Sequence, residues 1–219
     1  MNLRLDSKQT LVCGASQGIG AATARALAEL GANFTLMAHS PDKLEAILAQ
    51  LDTGSSQRHD YLIADFDQSE TLRTALGQWL KNHPQAHLFI NNSGGPRGGS
   101  THLAGAEVYQ KAFTQLMLCA QMLVQIVLPV MQATGYGRII NVISTTVKET
   151  IKGLSVSNTI RWAATGWAKT LASELKPLGI TVNNILSGLT RTPRTPVISS
   201  HVRKKNTALP LRLRMKPCH

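Results

Sequence analysis

The chain has 219 residues, 43% of them apolar, which suits one α/β domain with a single sizeable core and excludes a disordered or fibrous protein. Its formal charge of +11 is uneven: residues 1–190 carry 15 basic and 12 acidic side chains, whereas residues 191–219 carry 8 basic ones and no acid. The charge belongs to a tail, read as a solvated and poorly ordered end, and so argues against a nucleic-acid partner for the domain, although a basic tail can attract phosphate backbones.

Met1–Gln9 is polar, with no apolar run behind it that would make a signal peptide. Thr10–Cys13 is a short apolar run that predicts a strand ending in a glycine turn. An Ala-rich helix follows over Ile19–Leu30, stopped by Gly31, where a left-handed residue is needed. Phe34–Met37 predicts a buried strand. Ser40-Pro41 predicts an N-cap with proline in the first turn of a helix through Leu51. Tyr61–Ala64 is the third strand, and Asp67-Gln-Ser-Glu70 has the pattern of a capping box for the next helix.

His87–Ile90 predicts strand four. Val108, Ala112, Leu116, Ala120, Leu123 and Val127 recur at three and four residues, which predicts one long amphipathic helix. Its most apolar stretch, Met122–Met131, is interrupted by Gln125 and Pro129 and is too short to span a bilayer, so no membrane partner is expected. Arg138–Ile143 is strand five, Ile160 to Leu175 marks another helix, and Ile180–Ile185 is strand six. Repeated strand–helix units predict a doubly wound parallel sheet of Rossmann type over residues 1–192, with a basic tail over 193–219. Cys13, Cys119 and Cys218 show no CxxC spacing, which points to a reducing, cytoplasmic setting and no metal site.

The segment Gly14-Ala15-Ser16-Gln17-Gly18-Ile19-Gly20 lies between a strand and a helix. Gly14 permits a tight turn, Gly18 lets a pyrophosphate approach the backbone, and Gly20 lets helix and strand pack closely. Phosphates would bind the amides of the helix N-terminus, aided by the dipole. A carboxylate about 20 residues on usually bonds the ribose 2′-hydroxyl. Here the end of strand two reads Ala38-His39-Ser40, so NADP(H) is favoured over NAD(H), with His39 or Lys43 meeting the 2′-phosphate.

From these residues onward the chain resembles the short-chain dehydrogenase/reductase family over about Lys8 to Thr192. The glycine turn is similar to that family's cofactor motif, Asp65 to its adenine-contacting acid, and Asn91-Asn92-Ser93-Gly94 to its Asn-Asn-Ala-Gly segment. Pro129 matches the end of the family's long helix, and Ser144 its substrate-orienting serine. Val182-Asn183, Ser187-Gly188 and Thr192 match the segment near the nicotinamide, with Ser187 where proline is usual. The resemblance implies contacts to the cofactor from Ser16, Gln17, Ile19, Asn92, Ser93, Gly94 and Thr192, and a homodimer through helices 108–131 and 158–177.

The catalytic positions depart from that pattern. The family has tyrosine 13 residues after the serine and lysine four further on; here those positions are Ser157 and Arg161, and the family's helix asparagine falls at Leu116. The chain thus looks like a divergent subgroup with Ser and Arg at the usual Tyr and Lys positions. Serine is a much poorer acid than tyrosine, and arginine stays protonated, so the usual proton relay is lost. Ser144 and Ser157 can still hydrogen-bond a carbonyl, Arg161 can hold the ribose hydroxyls and stabilise oxyanion charge, and Lys148 is a candidate substitute acid.

After Thr192 the chain has 27 residues with neither helical periodicity nor strand alternation. The family's later helix and last strand are therefore expected to be missing, through a changed reading frame near 195–205 or truncation, leaving strand six as an uncovered edge. The expectation is an NAD(P)(H)-dependent oxidoreductase acting on a small-molecule ketone/alcohol pair. The alternative is a non-catalytic nucleotide-binding protein or truncated inactive form on the same scaffold.

Overall fold

Six apolar runs form six parallel strands in a computed structural model that describes residues 4–51 and 57–193. The strands are β1 (Gln9–Cys13), β2 (Asn33–Ala38), β3 (His59–Ile63), β4 (Leu88–Asn91), β5 (Gly137–Val142) and β6 (Ile180–Ile185). They pair in the order β3-β2-β1-β4-β5-β6, all parallel, so the chain reverses its direction of winding between β1 and β4. In such sheets the ligand crevice opens beyond the carboxyl ends of the strands at that reversal. The fold is the doubly wound Rossmann type expected from the sequence.

Successive strand residues point to opposite faces, and both faces are apolar. Leu11 and Phe89 pack with Leu76, Leu123 and Val127 on one side of the sheet. Val12 and Ile90, their chain neighbours, pack with Ala24, Phe34 and Leu44 on the other. The first layer is covered by α3 (Ser69–Asn82), α5 (Cys119–Thr134) and α6 (Ser155–Leu175), the second by α1 (Gly18–Glu29) and α2 (Pro41–Leu48). Each fully buried large side chain contributes about 1.5–3 kcal/mol relative to exposure.

Several local expectations are corrected. Helix α2 ends at Leu48, not Leu51, and Ser40 occupies the N-cap position without a side-chain cap bond. Strand β3 runs His59–Ile63, two residues earlier at its start than Tyr61. The N-cap of α3 is Gln68, so Asp67 and Glu70 form no capping box. The Asp67 carboxylate is instead held by Lys111 at 2.9 Å and by Gln115.

The long helix is not one regular helix. It comprises α4 (Ala106–Phe113), a π-helical turn over Thr114–Leu118, and α5. Nor does it stop at Pro129, which lies inside α5; Gly135, with φ +62°, ends it. Taken whole, Ala106–Thr134 is long and apolar enough to cross a membrane by length and composition, although Met122–Met131 alone is too short. Half of its most apolar window is buried, and Leu123, Val127 and Met131 belong to the core. Among the described residues β6 is a sheet edge, and the expectations for residues 194–219 lie outside the described residues.

Candidate active site

The carboxyl ends of all six strands open onto one cleft of about 450 Å³. Its floor at β1 is the glycine turn. Gly14 has φ +59° and Gly18 φ +58°, a left-handed geometry that side chains rarely adopt. Gly20 has φ in the ordinary range, and its requirement is space, because a Cβ there would collide with the Gly14 carbonyl. Asn92, just after β4, donates its side-chain amide to the carbonyls of Cys13 and Gly14 at 3.2 and 3.3 Å, which ties the turn to the neighbouring strand.

This turn fits a dinucleotide. Gln17 caps α1 by position alone, with no side-chain bond to the first-turn amides. Ser16, Gln17, Gly18 and Ile19 line the cleft there, and a Cβ on Gly18 would press on the Thr192 methyl at 3.2 Å, so bare backbone is what the cleft presents. Those amides and the helix dipole would hold a pyrophosphate. Gly20 supports the turn from beneath and is not itself a lining residue.

Beyond the ends of β2 and β3, His39, Asp65 and Asp67 line the cleft. The Asp65 carboxylate accepts from the Asp67 backbone amide at 2.9 Å. Lys43 Nζ donates to Gln17 Oε1 at 3.4 Å, which places a cation beside the phosphate turn and the end of β2. No carboxylate stands at that strand end. The contributions of Asp67 and Gln115 were missed in the sequence, because a capping-box pattern explained Asp67 locally and the π-helical turn that carries Gln115 leaves no periodic signal.

At the other end, Ser93, Gly94, Ser144, Ser157 and Arg161 share the cleft wall, while Thr192 lines the cleft against Gly18 of the turn. Ser144 follows β5, and its hydroxyl oxygen accepts from the Thr146 amide at 3.2 Å. Ser157 and Arg161 lie one turn apart on α6, facing the same way. Arg161 Nη1 donates to the Val142 carbonyl at 3.0 Å. Ser187 closes the corner, donating to the Ile143 carbonyl at 3.0 Å while its own carbonyl accepts from the Thr145 amide at 3.0 Å. Lys148 is not brought in: it is exposed and is not a lining residue of the cleft. Leu116, at the expected asparagine position, lies in the π-helical turn and is buried.

No group of three or more potential metal ligands occurs among the described residues. Cys119, fully buried, has its thiol pushed up to about 11, first by desolvation and then by Asp67 and Asp65, so it is no nucleophile near neutrality. Burial likewise raises the Cys13 thiol far above its ordinary value.

The short chain dehydrogenase family model matches residues 8–203, nearly the whole chain. The chain belongs to that family. It is 30% identical over 193 residues, 87% of this chain and 71% of the relative, to a Streptomyces violaceoruber protein assigned as ketoacyl reductase 1 of the granaticin polyketide synthase. Its structure is similar to that of L-sorbose reductase from Gluconobacter frateurii complexed with NADPH and L-sorbose. There the TM-score is 0.85 at 26% identity, covering 94% of this chain and 79% of that one. It is also similar to an actinorhodin polyketide ketoreductase variant with NADPH, with a TM-score of 0.84 at 25% identity, covering 93% and 78%. These relatives support an oxidoreductase with a nicotinamide dinucleotide cofactor.

Proposed function

We propose that this short-chain dehydrogenase binds NADP(H) and interconverts a small ketone and its alcohol. The observation that carries the reading is the continuity of the cleft, which joins the glycine turn to Ser144, Ser157 and Arg161 in one space of about 450 Å³. His39 and Lys43, with no carboxylate at the end of β2, favour a 2′-phosphate over a bare ribose.

A nicotinamide dinucleotide bound here supplies or accepts the hydride. Ser144 and Ser157 donate hydrogen bonds to the substrate oxygen and orient the carbonyl carbon. Arg161 keeps its charge at all working pH values and stabilises the oxyanion without giving up a proton. Ser157 passes its hydroxyl proton to that oxygen while taking one from water in the open cleft, because a serine is too weak an acid to ionise alone. Lys148, turned to solvent, has no part in this scheme.

A second reading, cofactor binding without turnover, is favoured by Ser157 and Arg161 standing where the family has tyrosine and lysine. Oxidation of NADPH across a panel of ketones and ketoacyl thioesters tests between them. Ketone-dependent loss of NADPH supports the first reading; tight NADPH binding with no turnover on any carbonyl supports the second.

The reading extends to a cytoplasmic homodimer through helices 108–131 and 158–177. Leu118 and Trp162 are about half exposed within those segments, and the described cysteines are free thiols, as in a reducing compartment. Sedimentation at micromolar concentration checks the dimer, and Trp162→Glu would yield monomers.

A further inference from the structure

Three asparagines stand side by side across the last three strands. Asn91, Asn141 and Asn184 are register partners in β4, β5 and β6. Their side chains join head to tail: Asn91 Nδ2 donates to Asn141 Oδ1 at 2.9 Å, and Asn141 Nδ2 donates to Asn184 Oδ1 at 3.0 Å. Asn141 is only 3% exposed, in a parallel sheet where valine or isoleucine is the usual occupant. A buried amide destabilises unless it is bonded, so the row stabilises only one alignment of the three strands. A slip of one residue would turn the amides to opposite faces and leave them unpaired.

That alignment sets the level of the cleft wall. Three residues beyond each rung stand Gly94, Ser144 and Ser187, all lining the cleft. One residue beyond the middle rung is Val142, whose carbonyl is an anchor of the Arg161 guanidinium. A small cavity of about 20 Å³ is lined by Asn91 and Asn141 together with Arg161, Leu116 and Trp167, so the ladder and Arg161 border one space.

We propose that Asn141 is a positioning residue for the cleft. The amide ladder holds the end of β5 where the Val142 carbonyl aims Arg161 and where Ser144 meets the substrate. The ladder does not govern cofactor binding, because Asn92 ties the phosphate turn through its own bonds to Cys13 and Gly14. This inference rests on the function proposed above, but it concerns groups that are observable without turnover.

Three variants of the full chain test it. Asn141→Leu removes the middle rung, Asn184→Ala removes the outer acceptor, and Asn184→Asp keeps an acceptor oxygen for Asn141. Nitrogen-15 NMR of the arginine side chains reads the guanidinium directly, with the Arg161 signal assigned by its loss in Arg161→Met. In Asn141→Leu and Asn184→Ala the Arg161 signal shifts toward that of a free arginine, and Asn184→Asp restores it. NADPH affinity changes by less than about threefold in all of them, as for groups that share no partners. With a ketone that the native protein reduces, kcat falls about 10- to 100-fold in Asn141→Leu, the scale of a small misplacement.

A folded, NADPH-binding Asn141→Leu or Asn184→Ala whose Arg161 signal does not move overturns the ladder's role. So does a loss of NADPH affinity that parallels the loss of kcat. Should Asn141→Leu fail to fold, Asn184→Ala decides, since its rung is less buried than that of Asn141. If the native protein reduces no carbonyl, the NMR comparison still decides the ladder and only the proposed activity falls.

Discussion

Asn92 holds Gly14 in place: its side-chain amide donates to the Gly14 carbonyl at 3.3 Å while the Gly14 backbone turns left-handed, at φ +59°. The two residues are 78 positions apart, yet together they shape the floor of the cleft at the glycine turn. A Cβ on Gly14 would lie 2.8 Å from the Asn92 side-chain nitrogen, so no larger residue fits without moving that strand end.

Gly14→Ala is therefore expected to strain the backbone by about 1–3 kcal/mol and to abolish cofactor binding. Thermal melting with and without 1 mM NADPH checks this, at about that ligand concentration. The variant should melt below the native protein and gain nothing from the ligand; a native-sized ligand shift would show that the turn is not the phosphate site.

Lys43 should govern the choice between NADPH and NADH. Its ammonium lies beside Gln17 at the turn, where a 2′-phosphate would accept a charge-assisted bond. Lys43→Ala is predicted to weaken NADPH about tenfold, the scale of one hydrogen bond to a charged group, and to leave NADH nearly unchanged. Equal losses for both ligands would remove Lys43 from 2′-phosphate recognition. His39→Ala should act in the same direction and more weakly.

Arg161 should matter to turnover and little to cofactor affinity. Arg161→Met is expected to lower kcat about 100-fold, as for loss of one oxyanion donor. Arg161→Lys keeps the charge but not the planar guanidinium, and should recover part of the rate. Native kcat in Arg161→Met would take the guanidinium out of the mechanism.

The stability of the protein should fall with acid. His59 stacks on Phe34 at 3.9 Å, and burial pushes its imidazole below the ordinary value against the opposing charge of Asp60. His87 is lowered by burial and then by Lys8, and its Nδ1 accepts from the Gln9 amide at 3.0 Å, which requires the neutral ring. With folded values below the unfolded value of about 6.5, the unfolded chain takes up protons first as pH falls. Stability is complete above that value and declines beneath it. Melting from pH 7.5 to 5 checks the sign, and His59→Phe should flatten the slope; an unchanged slope would assign the acid sensitivity elsewhere.

The fold was legible because each strand is a short apolar run and each connecting helix carries its own period. Thr10–Cys13 and Ile180–Ile185 read correctly since nothing distant is needed to recognise them. The glycine turn was legible for the same reason. What could not be read depends on partners far along the chain. One extra residue in the π-helical turn at Thr114–Leu118 shifts phase without breaking the apolar pattern, and Pro129 reads locally as a terminus although the helix absorbs it. Asp67 looked like a cap because Lys111 and Gln115, its actual partners, lie more than 40 residues on. Lys148 has suitable chemistry and spacing, but the short turn after Ser144 leaves it in solvent. The asparagine ladder leaves no local signal, since its rungs are 43 and 50 residues apart.

Titrating the purified protein with NADPH and with NADH while following thermal unfolding decides whether this cleft is an NADP(H) site. Binding to the native state alone should add about 2.7 kcal/mol at a ligand concentration one hundred times Kd. An NADP(H) site requires a saturable rise in Tm with both cofactors, reached at lower concentration with NADPH. No rise with either cofactor at millimolar concentration would contradict it.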